Sequence, residues 1–431
     1  MEIPLMQKLL QELTKQNIQV VAARIMMADY FGSLFGFALF SLILLYQIGI
    51  PWTAYSSGWL NGAMALLVIL VHYGIKSPKG WALAFFYLSS MIWIGHDLDQ
   101  TMFRAEQSLY RNPIILQKQT PYQKLTITSP SQGINPNYKK AQDHLKKVTQ
   151  PVLGNHTTVK NNYEWRKLPN DHFAFYINGG MQFHSKDEYI YHEHLVHPAV
   201  ILSRDPKKVL LMGAGDGLAL RELSKYKMLD EITLIELDPG VVELFKTTPL
   251  LKKLNKNSFA DPRLKIIYED AWNWIRQCTD KFDVIILDFP DPHHIETAKL
   301  YSLQFYKLLK NCLQQNGALV TQSTSPLYSP KAFHCIKKTL ATAGFNTVSL
   351  HVEMPSFSQW GFQLASLSLN ENQIKEKVFN DFPPYKNLSN LDQEGLKASW
   401  LWPNRYWKDY SKIKANDFYN YALLHYYGTT K

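Results

Sequence analysis

The sequence predicts an α/β protein whose main body is a doubly wound, mostly parallel sheet, preceded by a small β-hairpin region and, before that, by helices apolar enough for a membrane. Three observations predict it. From residue 208 short apolar runs alternate with helical patterns, the first of these runs ends in a glycine-rich turn, and the first hundred residues hold three long uncharged stretches.

Composition sets the outer bounds. A chain of 431 residues with 46% apolar and 19% charged residues is too apolar for disorder and too long for one minimal module. The net charge of +10 invites a nucleic-acid reading, but its placement argues against one. Lys and Arg outnumber Asp and Glu by 9 to 6 in residues 1–128, by 7 to 2 in 129–170, and by 30 to 28 thereafter. Half the excess thus sits in one short stretch, as expected of an exposed basic loop or a patch near anionic lipid. Cys278, Cys312 and Cys335 are odd in number and lack CxxC or Cys/His ligand spacing, which disfavours a disulfide framework or a zinc site.

Residues 30–50 carry no Asp, Glu, Lys or Arg and are long enough, at about 1.5 Å per helical residue, to cross about 30 Å of hydrocarbon. Two more uncharged stretches, 58–75 and 81–96, bring the expected number of spans to about three. The amphipathic leader with Leu5, Leu9, Leu10 and Leu13 places the apolar run too late for a cleaved signal peptide. With Lys8, Lys15 and Arg24 inside, the positive-inside rule puts everything after residue 97 outside, a count that one further or missing span reverses.

Residues 129–170, opened by Ser-Pro-Ser-Gln-Gly and rich in Asn, Lys and Gln, read as an inserted surface excursion. On either side, 124–128 and 172–177 read as strands able to pair across it, with Asn178-Gly179-Gly180 as a hairpin turn. Strands are then expected at 208–212, 231–237, 264–268, 282–287 and 318–321, with helices at 218–225, 241–251 and 302–313. Ligands of such Rossmann-like sheets bind beyond the carboxyl ends of the strands.

Those strand ends carry the chemistry. Gly213-Ala214-Gly215-Asp216-Gly217 allows a tight turn and close approach of a ligand to the backbone. The next strand ends in Glu236-Leu237-Asp238, about 20 residues on, where a carboxylate accepts ribose hydroxyls. The third ends near Glu269-Asp270, suited to an adenine amino group. Glycines followed by two acids fit an adenosine ligand without a pyrophosphate. Asp216 discriminates further, since a carboxylate within the glycine turn repels phosphate and attracts an ammonium. The fourth strand ends in Asp288-Phe289-Pro290-Asp291-Pro292, two acids able to accept a proton from an amine or hold a cation. Upstream, Gln182 to Glu193 crowds tyrosines, acids and histidines together. His192 and His197 tempt a metal reading, but no HExxH arrangement accompanies them.

Taken in order, these residues resemble the spermidine synthase family, the polyamine aminopropyltransferases, and within it the membrane-bound bacterial branch. The resemblance covers about residues 113–366 apart from the insertion. It runs from Gln119-Thr120-Pro121-Tyr122-Gln123 through Gly179-Gly180-Met181-Gln182 and Asp187-Glu188-Tyr189-Ile190-Tyr191-His192-Glu193 to the glycine turn, Glu236-Leu237-Asp238, Asp288 to Pro292, and Gln322-Ser323-Thr324-Ser325-Pro326. It implies a class I methyltransferase-like fold and four regions: membrane helices in 1–110, a β region with the basic insertion in 111–200, the catalytic domain in 201–366, and an aromatic-rich extension in 367–431. It also implies further spans ahead of residue 1 and a multi-pass protein of the cell membrane whose catalytic part, served by a cytosolic donor, faces the cytoplasm.

The implied reaction transfers an aminopropyl group from decarboxylated S-adenosylmethionine, a co-substrate rather than a cofactor, to a diamine such as putrescine. By family analogy Gln123, Gln182, Asp216, Glu236 and Asp270 hold the donor, Asp288 deprotonates or orients the attacking amine, and Tyr191 and Asp291 place the acceptor; no metal, cofactor or nucleic acid enters. Partners are then the two substrates and membrane lipid, and a homodimer is compatible. Two departures fall near the acceptor. Pro292 is followed by His293-His294-Ile295-Glu296 instead of the family's Gly-Pro-Ala run, and a late tyrosine is replaced around Pro355-Ser356-Phe357. The alternatives are a methyltransferase using intact S-adenosylmethionine and an inactive membrane-tethered binding protein. The aromatic run Trp400, Trp402, Tyr406, Trp407 and Tyr410 is expected to pack on the core or a membrane interface.

Overall fold

A computed structural model of the chain describes residues 17–40, 45–73, 78–130, 172–383, 388–407 and 410–428. The described residues form two compact units, one up to Arg111 and one from Asn112 onward. Most of the expected insertion, together with the leader that holds Leu5 to Leu13, Lys8 and Lys15, lies outside them.

The first unit consists of helices Ile18–Leu39, Leu45–Tyr73, Pro78–His96 and Leu98–Gln107. Three spans were expected in this region. Among the described residues one helix, over Gln19–Leu39, is long and apolar enough to cross a membrane. The expected span 30–50 straddles the end of that helix and the start of the next. The other two stretches fall largely in helices Leu45–Tyr73 and Pro78–His96.

The second unit opens with a four-stranded antiparallel meander: β1 (Ile114–Gln119), β2 (Lys124–Thr128), β3 (Ala174–Ile177) and β4 (Gly180–His184). β2 and β3 pair from Leu125↔Ile177 to Thr128↔Ala174, joining the two sides of the expected insertion. Asn178 and Gly179, with φ of 49° and 83°, make the hairpin turn, both in the left-handed region that a tight turn of this hand requires. Leu125, Ile127, Phe175 and Phe183 bury one face of this small sheet against Val241, Leu244 and Phe245 of helix Pro239–Thr247.

The larger sheet has seven strands: β5 (Lys208–Gly213), β6 (Glu231–Glu236), β7 (Leu264–Tyr268), β8 (Phe282–Asp288), β9 (Leu313–Gln322), β10 (Asn346–Met354) and β11 (Ser358–Ser366), in the order β10-β11-β9-β8-β5-β6-β7. β7, β6, β5, β8 and β9 pair in parallel in that order, and β10 and β11 form an antiparallel hairpin beside β9. Alternation along β5 sends Val209 and Leu211 into one core and Leu210 and Met212 into the other, so the sheet is covered on both faces. Helix Glu188–Ser203 covers the first face, and helices Leu303–Cys312 and Pro330–Ala343 pack in the second core.

Differences from the sequence reading have local causes. The single helix expected over 241–251 is two, Pro239–Thr247 and Pro249–Leu254, because Pro249 follows an extended Thr248 and starts a new helix. β9 extends back to Leu313 although Gln314, Gln315 and Asn316 are polar, since those positions are exposed at the sheet's end. Trp400 packs on the first core, Trp402 lies against Phe333 and His351, and Tyr410 stacks on His334 at 4.0 Å. This part of the aromatic run therefore packs on the protein core.

Candidate active site at the carboxyl edge of the sheet

The strand order reverses between β5 and β8, and two of the expected site segments meet there. Gly213 and Asp288 are register partners at the ends of these strands. Gly213 has φ of 77°, and a Cβ on it would stand 2.3 Å from the backbone oxygen of Asp288, so glycine is required twice over. Ala214 and Gly217 also have positive φ, and the turn delivers Asp216, whose Oδ1 accepts the Leu218 N–H at 2.8 Å. On the other side of β5, Glu236 ends β6 with its carboxylate against Gly215, where a Cβ would lie 2.8 Å from Oε2. Carboxylate and glycine backbone thus leave one narrow ledge.

Tyr191, from helix Glu188–Ser203, donates to Asp288 Oδ1 at 2.6 Å. Burial pushes the Asp288 carboxyl above its usual range, against the opposing influence of His192 and of the Tyr191 hydroxyl. Asp216 is raised to about 6, first by burial and then by the charge of Asp288, with His192 pulling the other way. Burial likewise raises Glu236 to about 7. Asp291 is raised to about 6 by burial, opposed by hydrogen bonds from Tyr427 and Gln322. Four acids at one sheet edge therefore hold their protons more tightly than usual, burial being the main cause for each.

A buried ion network supports this row. Burial opposes a charge on His192, but its hydrogen bond to Glu188 at 2.8 Å and the charges of Glu188, Asp216 and Asp288 raise it to about 9. Glu188 also accepts from Arg221 at 2.6 and 3.0 Å, and Arg221 donates to Glu222 at 2.8 Å. Glu222 in turn meets His197 at 3.0 Å, and His197 meets the Tyr226 hydroxyl at 2.6 Å. His192 and His197 thus serve separate carboxylates.

The remaining expected residues are placed as follows. Gln123 donates to Asp238 Oδ2 at 2.9 Å, alongside Thr120 at 2.7 Å, so the loop between β1 and β2 is tied to the end of β6. Gln182 donates to the Gly180 carbonyl at 3.1 Å within its own hairpin. Asp270 caps helix Ala271–Gln277 through the Asn273 N–H at 3.1 Å and pairs with Lys299 at 3.0 Å. In the segment Pro355-Ser356-Phe357, where the loss of a late tyrosine was expected, Ser356 donates both its N–H and its hydroxyl to Asp187 at 2.7 and 2.8 Å.

Sequence reasoning assigned no role to Tyr301, Gln322 or Tyr427. Gln322 ends β9 and reaches Tyr301, the Phe289 carbonyl at 2.8 Å and Asp291 at 3.4 Å. Its place in a quoted motif was the available signal. Tyr427 donates to Asp291 Oδ2 at 2.8 Å across 136 residues of chain, a separation that no local pattern reveals.

Residues 188–377 match the spermine/spermidine synthase domain. The chain is 32% identical to the polyamine aminopropyltransferase of Leptospira interrogans over 99% of its own length and 76% of that protein's. The chain belongs to the polyamine aminopropyltransferase family. It is also 35% identical to polyamine aminopropyltransferase 1 of Streptomyces coelicolor, over 93% of this chain and 69% of the relative. Among solved structures, spermidine synthase from Thermotoga maritima aligns with a TM-score of 0.51 and 26% identity, covering 68% of this chain and 85% of that one. A spermidine synthase bound to the transition state analogue AdoDATO aligns at 0.52 and 26% identity, covering 68% and 86%. The aminopropyltransferase family accounts for the seven-stranded methyltransferase-like sheet, and the chain is an enzyme of this class.

Proposed function

We propose that this aminopropyltransferase moves the aminopropyl group of decarboxylated S-adenosylmethionine to putrescine, giving spermidine and methylthioadenosine, with Asp288 acting on the attacking amine. The observation that carries the reading is the row of acids at the strand ends, Glu236, Asp216, Asp288 and Asp291, set around a glycine turn. The similar spermidine synthase in complex with the transition state analogue AdoDATO supports it from outside the chain.

In this reading Glu236 takes the ribose hydroxyls and Asp270 the adenine edge, with Gln123 and Gln182 beside the donor. Asp216 meets the ammonium of the aminopropyl tail. Tyr191 and Asp291 hold the diamine. The amine nitrogen's lone pair forms a bond to the carbon attached to the sulfonium while the C–S bond breaks, its electrons passing to sulfur. The sulfonium becomes a neutral thioether, and the surplus amine proton goes to Asp288 and on to solvent. A cationic sulfur leaves without Lewis-acid help, so the proposal assigns no cofactor. Alignment of the two cations contributes several kcal/mol of barrier, and proton control about 10²- to 10⁴-fold.

The test is incubation with labelled decarboxylated donor and a panel of diamines, beside intact S-adenosylmethionine. Methylthioadenosine and spermidine formed from the decarboxylated donor alone are expected; turnover of the intact donor, or of neither, overturns the reading.

The finer placement in the membrane-bound branch is part of the same proposal. Phe31, Leu34, Phe37, Leu60, Phe85, Phe86 and Trp93 of the N-terminal unit are each at least 69% exposed. Apolar surface on that scale is expected to meet lipid or protein, and we assign it to lipid, in a multi-pass arrangement.

A further inference from the structure

We propose that Tyr427, on the C-terminal helix Ala422–Gly428, is a positioning residue of the acceptor subsite that holds Asp291 for the diamine's ammonium. The inference deepens the function proposed above and rests on it.

Two elements far apart in sequence grip the Asp291 carboxylate. Tyr427 donates to Oδ2 at 2.8 Å, and the Gln322 amide lies 3.4 Å from Oδ1. The Tyr427 ring stands edge-on to His293 at 4.7 Å and 81°, with its hydroxyl 3.5 Å from the His293 Nε2. His293 opens the segment His293-His294-Ile295-Glu296 that follows Pro292. Tyr427 thus stands against both Asp291 and the segment that follows it.

The helix is anchored firmly enough to position a side chain. Leu423 is fully buried and Ala422 nearly so, both in the core beneath β8 and β9. Asn416 ties the approach to this helix in place: its side-chain amide donates to the Ala298 and Tyr301 carbonyls at 3.0 and 3.3 Å, and its Oδ1 accepts the Leu423 N–H at 3.2 Å. The loop after Asp291 and the C-terminal segment therefore form one packed body.

The chemistry needs this grip. A cationic amine is held by an ionised carboxylate, and burial pushes the Asp291 carboxyl up to about 6 while the Tyr427 and Gln322 hydrogen bonds oppose that rise. The groups that interact with Asp291 are Tyr427, Gln322, Tyr301 and Tyr191, with His293 against the Tyr427 ring and Asp288 three residues earlier in the chain. Among them Tyr427 donates to it at the shorter distance, and removing one donor favours the protonated acid.

The experiment compares Tyr427→Phe, Asp291→Asn and the double variant by steady-state kinetics with putrescine across pH. Tyr427→Phe is expected to raise KM for the diamine about five- to tenfold, with kcat within about twofold. It should also move the acid limb of kcat/KM to higher pH. The double variant should resemble Asp291→Asn, because Tyr427 acts through that carboxylate. Tyr426→Phe, in the same helix with its hydroxyl accepting the Lys414 N–H at 3.3 Å, serves as the structural control and should leave KM and the limb unchanged. An unchanged KM and pH limb in Tyr427→Phe, or an additive double variant, overturns the inference. So does an equal loss in Tyr426→Phe. If Asp291→Asn itself leaves KM untouched, the acceptor assignment of the proposed function fails instead.

Discussion

Replacing Asp288 by Asn tests the proposed base with the least structural disturbance. An Asn side chain has the same shape, and its carbonyl oxygen can still accept the Tyr191 hydroxyl that Asp288 Oδ1 accepts at 2.6 Å. What disappears is one proton acceptor and one negative charge. Loss of proton control predicts a kcat lower by about 10²- to 10⁴-fold, equivalent to about 3–5 kcal/mol of barrier. The charge has a second, opposite effect. Asp288 helps to raise Asp216 to about 6, so without it Asp216 ionises at lower pH. Donor binding that depends on ionised Asp216 should then persist to more acidic conditions than in the native protein. Quenched-flow detection of methylthioadenosine reads the first effect, and calorimetric titration of the donor without amine, between about pH 5 and 8, reads the second. Turnover within about threefold of native would remove Asp288 as the base. A donor affinity that falls at every pH would place it in the donor site.

Two further outcomes follow from the geometry. Gly213→Ala should cost about 1–3 kcal/mol in urea unfolding and also depress kcat, since the new Cβ meets the Asp288 backbone oxygen at 2.3 Å and φ is 77°; unchanged stability and rate would show that the turn tolerates a side chain. His192 is held at about 9 in the fold against 6.5 as a free side chain. Because the folded value is the higher one, its contribution is complete below about pH 6.5 and is lost as pH rises through about 9, amounting to on the order of 3 kcal/mol. Urea midpoints of native and His192→Gln protein should therefore converge between these limits, and curves that stay parallel would mean His192 is not charged in the fold.

Legibility differed between parts of the site. The glycine turn, Glu236 and Asp288 could be read directly because each follows an apolar run, and a parallel strand's carboxyl end is where a sheet of this kind binds ligands. The hairpin across the insertion was legible for a similar reason, since alternation and an Asn-Gly turn are local signals. The N-terminal helices were harder. Absence of charge marked their apolar stretches, but it does not fix where one helix ends and the next begins: the run 30–50 falls across the helix that ends at Leu39 and the one that starts at Leu45.

Residue order by itself determined the doubly wound sheet and which strand ends bear acids, because hydrophobic periodicity and turn chemistry act over a few neighbouring residues. Tertiary structure alone decided how those acids are partnered. Helix Glu188–Ser203 brings Tyr191 to Asp288 and His192 into the charge field of Asp216, Lys299 reaches Asp270, and the C-terminal helix returns Tyr427 to Asp291. The physical reason is range: a hydrogen bond or a buried charge acts over a few ångströms of space, whatever the length of chain between its partners.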